Sequence, residues 1–320
     1  MGGGEREMCE LGLELTRRGH EVEFYALPFL MGARPKGNPR SLLGDIPYHE
    51  GWSQGVTADV AYTFYHPLST MNFRVKGKSI ASFHSQAFFL RSVNPRYGLI
   101  PILASYGTRL IGPLELRSFD AVHTHFSHPT VRHPNTYIIP GWIDTSVFKP
   151  AARKYDEFTV LFSGRALWQK GWDVYVRLAR RMQDLGIRFL YVGGEVKDSF
   201  IHSMGFQWNT AALSQIYNGS HVLLNPSRAD TFGRVSIESM ACGTPVVTSP
   251  SQLNSDLKLP FVFGNSLAEY ETSILGLKEL WEEGKPYRRL SDKCKEAAQA
   301  FSFGNTVTAY ERMFSEVVHR

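Results

Sequence analysis

Apolar residues recur along this chain in short runs set apart by polar stretches marked with Gly and Pro. Runs at 21–25, 59–64, 78–83, 119–124 and 135–139 read as strands. A second series reads the same way at 158–162, 188–192, 221–224, 245–248 and 261–263. Between them lie stretches of helical periodicity. Leu11 and Leu15 share a face ahead of an Arg17-Arg18-Gly19 stop, and 101–117 and 305–318 follow the same rule. Strands alternating with helices predict parallel, doubly wound sheets. Pro140-Gly141-Trp142 and Lys149-Pro150 bracket a linker, so the pattern predicts two α/β halves with a cleft between them.

Length and composition fit this picture. The 320 residues suit two domains of ordinary size, and 43% hydrophobic with 20% charged residues is a globular balance. A formal net charge of +5 favours anionic substrates or an acidic membrane face. Lys and Arg are scattered and not clustered, which argues against nucleic acid. Cys9, Cys242 and Cys294 are odd in number and far apart, and no C-x-x-C occurs, as expected of reduced thiols in a cytoplasmic protein. No apolar run is long enough to span a bilayer, and no signal peptide precedes Met1.

The stretch 224–247 carries the most chemistry. A strand at 221–224 breaks into Asn225-Pro226-Ser227, and Phe232-Gly233 forms a turn. Val235, Ile237, Met240 and Ala241 then define one helix face, closed by Gly243 and Pro245. A helix entered this way points free N–H groups and its dipole beyond the strand ends, where an anion binds. Asp230 and Glu238 flank the turn. Carboxylates beside an anion site are poorly placed to hold phosphate, but well placed to accept hydrogen bonds from sugar hydroxyls. The pattern reads as a nucleotide-sugar site.

The same residues resemble the donor-site signature of retaining glycosyltransferases of family 4, which have the GT-B fold. Pro226, Ser227, Phe232, Gly233, Glu238, Met240, Ala241, Gly243, Pro245, Val246 and Val247 match it. Asp230 stands where Glu is usual, and Ser239 where Ala is usual. The likeness extends to Gly2-Gly3-Gly4-Glu5-Arg6 with Arg18-Gly19-His20, to the passage from Phe119 to Pro150, to Ser163-Gly164-Arg165 with Lys170-Gly171, and to Phe301-Ser302-Phe303. The resemblance implies two Rossmann-like doubly wound domains. Residues 1–145 form the acceptor side, 146–304 the nucleotide-sugar side, and 305–320 a helix crossing back to the first domain. It also implies a β-strand before the glycine loop, at the centre of the first sheet. This chain starts at the loop, so either its start is truncated or another segment takes that place.

Each site residue carries a reading of its own. Arg165 and Lys170 are placed to neutralise a departing diphosphate, whose charge grows as the glycosidic bond breaks; alone they would be solvated surface cations. The resemblance assigns Glu238 to the ribose hydroxyls and Asp230 to the donor sugar. It assigns His84, at a strand end, to the reacting region. Asp is one methylene shorter than Glu, and a loop aspartate can instead cap the helix. Gly164, Phe232, Gly233 and Arg234 line the donor side, and Gly3 and Gly4 allow close backbone approach. His123, His125, His128 and His133 cluster in sequence, but the resemblance implies no metal and no cofactor beyond the nucleotide-sugar co-substrate. The expected activity is retaining transfer of a sugar from a UDP- or GDP-linked donor to a sugar, lipid or other hydroxyl acceptor, with possible peripheral membrane contact. The alternatives are a catalytically weak or inactive GT-B relative that binds a nucleotide or a partner, and an epimerase of the same fold, against which the Asp230 and Glu238 pattern speaks.

Overall fold

The computed structural model describes residues 3–27, 42–66, 69–83, 96, 99–127, 131–151, 153–207, 209–228, 232–250 and 258–320. The chain divides into two compact units, 1–141 with 304–320, and 142–303.

In the first unit, α1 (Gly3–Arg17) leads to β1 (Phe24–Ala26), β2 (Tyr48–Glu50) and β3 (Gln54–Phe64). Then come α2 (Ser69–Asn72), β4 (Phe73–Phe83), α3 (Leu99–Leu110), α4 (Gly112–Glu115), β5 (Ala121–Thr124) and β6 (Thr136–Ile138). Cys9, Leu11 and Leu15 form the buried face of α1. The helix stops where Gly19 takes φ +94° and donates its N–H to Thr16, a left-handed turn that costs glycine little. Gly3 and Gly4 do not form the loop expected of them; they lie in the first turn of α1. The strand expected at 21–25 begins later, at Phe24, because Glu21 and Glu23 are polar positions beside the turn.

The strands of this unit form two separate parallel sheets, β1-β2 and β3-β4-β5-β6. Among the described residues no strand joins β1 to β3. Gln54 ties the pieces together, its side-chain amide donating to the carbonyls of Ala26 and Gly51 at 2.9 Å each. Between β3 and β4 the register slips, and Gly77 sits there at φ +129°. β5 is buried throughout, and its Val122 packs with Tyr65, Phe83, Leu116 and Phe119.

Beneath this core runs a polar network. His123 Nδ1 lies 2.7 Å from the Tyr62 hydroxyl and 3.0 Å from that of Ser82, and its Nε2 lies 3.0 Å from the Ile139 carbonyl. His125 Nδ1 is 3.1 Å from the same carbonyl, and His133 lies between the carbonyls of Phe119 and Asn135. These three histidines thus have protein partners; His128 lies outside the described residues. Among the described residues, no group of three His, Cys, Asp or Glu side chains is arranged to hold a metal.

The second unit opens with β7 (Thr159–Ser163), followed by α5 (Trp172–Arg181), β8 (Arg188–Val192), β9 (His202–Ser203), α6 (Thr210–Gly219) and β10 (Val222–Asn225). It continues through α7 (Arg234–Ala241), β11 (Val246–Thr248), β12 (Val262–Phe263), α8 (Leu267–Glu283) and α9 (Lys285–Ala298). The last helix, α10 (Phe303–Val318), lies almost wholly in the first unit. All neighbouring strands are parallel, in the order β12-β11-β10-β7-β8-β9. β7, the first strand, therefore sits inside the sheet, with later strands laid down on both sides of it. Such strands bury both faces and read as continuous apolar runs. Accordingly Phe158, Val160 and Phe162 pack with Tyr175, Leu178 and Phe189 in the main core.

Candidate functional site

In an open parallel sheet, ligands bind beyond the carboxyl ends of the strands where the strand order reverses. Here that point lies between β7 and β10. Three loops leave the strands at this edge, after β7, β8 and β10. Glycines let them come into contact. A Cβ on Gly171 would lie 2.2 Å from the Pro226 carbonyl oxygen, and one on Gly193 would lie 2.1 Å from that of Gly164. Both positions have positive φ, +77° and +143°, so larger residues are excluded by backbone angle and by space.

The β7 loop runs Gly164-Arg165 into a 3-10 turn at Trp168–Lys170, then through Gly171 into α5. Arg165 is exposed and Lys170 half-buried. Arg228, from the loop after β10, fastens this turn. It grips Asp173 in the first turn of α5 with two bonds of 2.7 and 2.9 Å. Its guanidinium also lies 4.4 Å from the Trp168 ring centre, and the Arg228 backbone N–H donates to the Gln169 carbonyl at 2.9 Å. Burial raises the Asp173 carboxyl, but the hydrogen bonds and charge of Arg228 outweigh it and hold the group below its usual range.

The β10 loop ends at Gly233, which takes φ +66° and enters α7 without a side-chain cap. Ser236 returns its N–H to the Gly233 carbonyl at 2.8 Å, and Asn225 at the end of β10 donates to the Ser236 hydroxyl at 2.9 Å. Phe232 is buried and packs on Phe301, with ring centres 5.7 Å apart. Asp230 and His84 lie outside the described residues.

Glu238 is only 7% exposed. Arg234, one turn earlier on α7, donates to one carboxylate oxygen at 3.0 Å, and Tyr217 donates to the other at 3.1 Å. The Ser163 hydroxyl lies 2.9 Å from that of Tyr217. A chain of hydrogen bonds therefore joins the end of β7, through α6, to the acid of α7. Burial, then the Glu238 charge, push the Tyr217 hydroxyl well above its usual range, so it stays a donor.

The geometry thus gathers Gly164, Arg165, Lys170, Phe232, Gly233, Arg234 and Glu238 on one edge of the second unit. Gly3 and Gly4 belong to the first unit. Sequence reading missed Tyr217 and the Arg228–Asp173 pair, and gave Ser163 no role of its own. A buried Tyr one helix upstream of an acid carries no signal, because the contact is made by folding. Arg228, directly after Pro226-Ser227, could have been noticed as a cation beside the motif.

A parallel sheet whose first strand lies inside it, with helices between the strands, is the arrangement of a Rossmann-like half of the GT-B fold. Comparison with known proteins agrees. Residues 157–258 match the family described as glycosyl transferases group 1. D-inositol 3-phosphate glycosyltransferase of Mycobacteroides abscessus is 33% identical over 136 residues, which cover 34% of this chain and 30% of the relative. The enzyme of that name from Mycobacterium bovis is 26% identical over 212 residues, covering 55% and 43%. The chain thus spans less than half the length of these curated relatives. Among solved structures, sucrose-phosphate synthase from Thermosynechococcus elongatus superposes with a TM-score of 0.73 at 17% identity, over 99% of this chain and 94% of that one. A pneumococcal O-GlcNAc transferase in complex with UDP and GlcNAc gives 0.56 at 18% identity, over 76% and 53%. The match to the group 1 glycosyl transferases is thus to residues 157–258, and the chain has the GT-B fold.

Proposed function

We propose that this protein is a retaining glycosyltransferase of family 4 that moves a sugar from a UDP- or GDP-linked donor to a sugar, lipid or other hydroxyl acceptor. The observation that carries the reading is Glu238. It is a buried carboxylate fixed by Tyr217 and Arg234 on the helix that starts at the uncapped Gly233. An acid so held, beside N–H groups that suit phosphate, fits a ribose next to a diphosphate. The relatives named above are glycosyltransferases, and one neighbour holds UDP and GlcNAc.

In this reading Arg165, Lys170 and the N–H groups at Gly233 and Arg234 meet the charge that grows on the leaving diphosphate. Gly164 lets the backbone come close, and Phe232 braces the turn. Asp230 and His84 are the residues proposed to act on the donor sugar. Gly3 and Gly4, which lie in the first turn of α1, are also proposed to bind the donor, since glycine allows close backbone approach. The departing phosphate accepts the acceptor's proton as the new bond forms on the same face, so configuration is retained. Charge neutralisation comes from side chains and backbone, so no metal or other cofactor is needed. The protein acts in the cytoplasm with peripheral contact to a membrane.

The test is release of nucleoside diphosphate from a panel of UDP- and GDP-sugars in the presence of EDTA, with the product anomer read by NMR. One donor turned over with retention, and unaffected by EDTA, supports the reading. Nucleotide binding without any release would favour the weak or inactive relative, and activity lost with EDTA and restored by a divalent ion would overturn the metal-free mechanism.

A further inference from the structure

Lys170 ends the 3-10 turn Trp168–Lys170 on the loop after β7, and that turn is held by residues of another loop. Arg228 follows Pro226-Ser227 beyond β10. Its Nη1 donates to the Trp168 carbonyl and, at 2.7 Å, to Asp173, while its Nη2 donates to the other Asp173 oxygen at 2.9 Å. The Arg228 backbone N–H and the Ser227 hydroxyl both donate to the next carbonyl, that of Gln169, at 2.9 and 3.3 Å. The Gln169 carbonyl and the Lys170 N–H belong to one rigid peptide plane. That N–H donates to the Leu167 carbonyl at 3.0 Å. The plane that carries Lys170 is therefore pinned at its oxygen by the β10 loop and at its hydrogen by its own turn.

We propose that Arg228 is a positioning residue for Lys170, a clamp that sets where the ammonium meets the charge growing on the leaving diphosphate. It rests on the reading of Lys170 as the cation that meets that charge. A flexible four-carbon stem cannot fix its own head, so the precision at Nζ comes from the backbone the stem leaves. Misplacement by about 1 Å can cost about a hundredfold in rate. Arg228 is not itself placed to hold phosphate: both terminal nitrogens are engaged on Asp173, and the guanidinium lies 4.4 Å from the Trp168 ring centre. Nor is it needed to rescue a stranded carboxylate, since Arg177 of the same helix also donates to Asp173, at 3.3 Å. What Arg228 adds is geometry. Its planar fork spans both carboxylate oxygens while one nitrogen also reaches a backbone carbonyl, which the point charge of a lysine cannot do.

The experiment measures nucleoside diphosphate release by the full chain from a panel of UDP- and GDP-sugars. It compares Arg228→Ala, Arg228→Lys, Lys170→Ala and the double variant Arg228→Ala with Lys170→Ala. Arg228→Ala should lower kcat about tenfold or more and move KM by less than about threefold. Arg228→Lys keeps the charge and loses the fork, so it should lose nearly as much. In the double variant kcat should stay within about twofold of Lys170→Ala alone, because the clamp has no ammonium left to place. If Arg228→Ala melts below the assay temperature, Asp173→Asn takes its place. That change weakens the anchor but leaves Arg228 on Trp168, and it should lower kcat about threefold or more with the same lack of further loss beside Lys170→Ala. Wild-type rates in Arg228→Lys, or losses that multiply in the double variant, would overturn the clamp and leave the reading of the site standing. No release from any donor by the wild-type chain would overturn both.

Discussion

Glu238 has both carboxylate oxygens engaged by Arg234 and Tyr217 within the protein itself. Lys170 is placed differently, half-buried on a turn that Arg228 clamps from outside. The two should therefore fail differently. Lys170→Ala should lower kcat/KM by about 2–4 kcal/mol, mostly through kcat, if it meets charge that develops in the transition state. Steady-state kinetics on the active donor checks this; a change confined to KM would mean that Lys170 only binds.

A second residue-scale prediction concerns Lys154. Its stem is partly exposed, but its ammonium lies 2.6 Å from both the Ser220 carbonyl and the Thr244 hydroxyl. Burial lowers its pKa to about 7. Between that value and the ordinary one the unfolded chain binds the extra proton, so stability should rise as pH climbs from 7. The rise should be about 1–2 kcal/mol by pH 9, discounted for partial exposure. Denaturant melts at pH 7 and 9 should show it, and Lys154→Met should flatten it. Glu238 and Lys170 were singled out in the sequence because a motif marks them. Tyr217, Arg228 and Lys154 were not, since their roles arise from partners far along the chain.

At the scale of elements, α7 was legible because its apolar face, its entry at Phe232-Gly233 and its stop at Gly243 and Pro245 all agree. β2 was not: Tyr48-His49-Glu50 is polar and partly exposed, and becomes a strand only by pairing with β1. The first half of β4 was missed for a related reason, since Arg74, Lys76 and Gly77 interrupt the apolar run. The contacts between loops were also invisible, because a glycine does not state which backbone it faces. Gly171 and Gly186 separate these effects. Both have positive φ, but a Cβ on Gly186 meets nothing within 4 Å, while one on Gly171 meets the Pro226 carbonyl. Gly186→Ala should cost about 1 kcal/mol, the backbone term alone. Gly171→Ala should cost about 2–4 kcal/mol and weaken nucleotide binding as the β7 and β10 loops part. Equal losses in melts of the two variants would mean that the loops do not need this contact.

Across the whole molecule, the two units differ in how their sheets are closed. β7 and β10 are flanked by strands on both sides, whereas β3 ends its sheet and β1 has only β2 as a strand partner among the described residues. Edge amides are the first to open. Hydrogen exchange should therefore be faster at 24–26 and 59–64 than at 159–163 and 222–225. Uniform protection would mean that something covers those edges. The expectation of a strand at the centre of the first sheet came from resemblance, and among the described residues the strands of that unit pair as two pieces. The alternation of strands and helices made the two α/β halves readable, because parallel sheets buried on both faces leave strong apolar runs. The measurement closest to the central claim is calorimetric titration of the full chain with uridine, guanosine and adenosine diphosphates, repeated with Lys170→Ala and Glu238→Gln. One nucleotide should bind without added metal, Glu238→Gln should weaken it about tenfold or more, and Lys170→Ala should weaken it less. No binding by any of the three, or binding unchanged in both variants, would contradict a diphosphate and ribose site at the edge of β7 and β10.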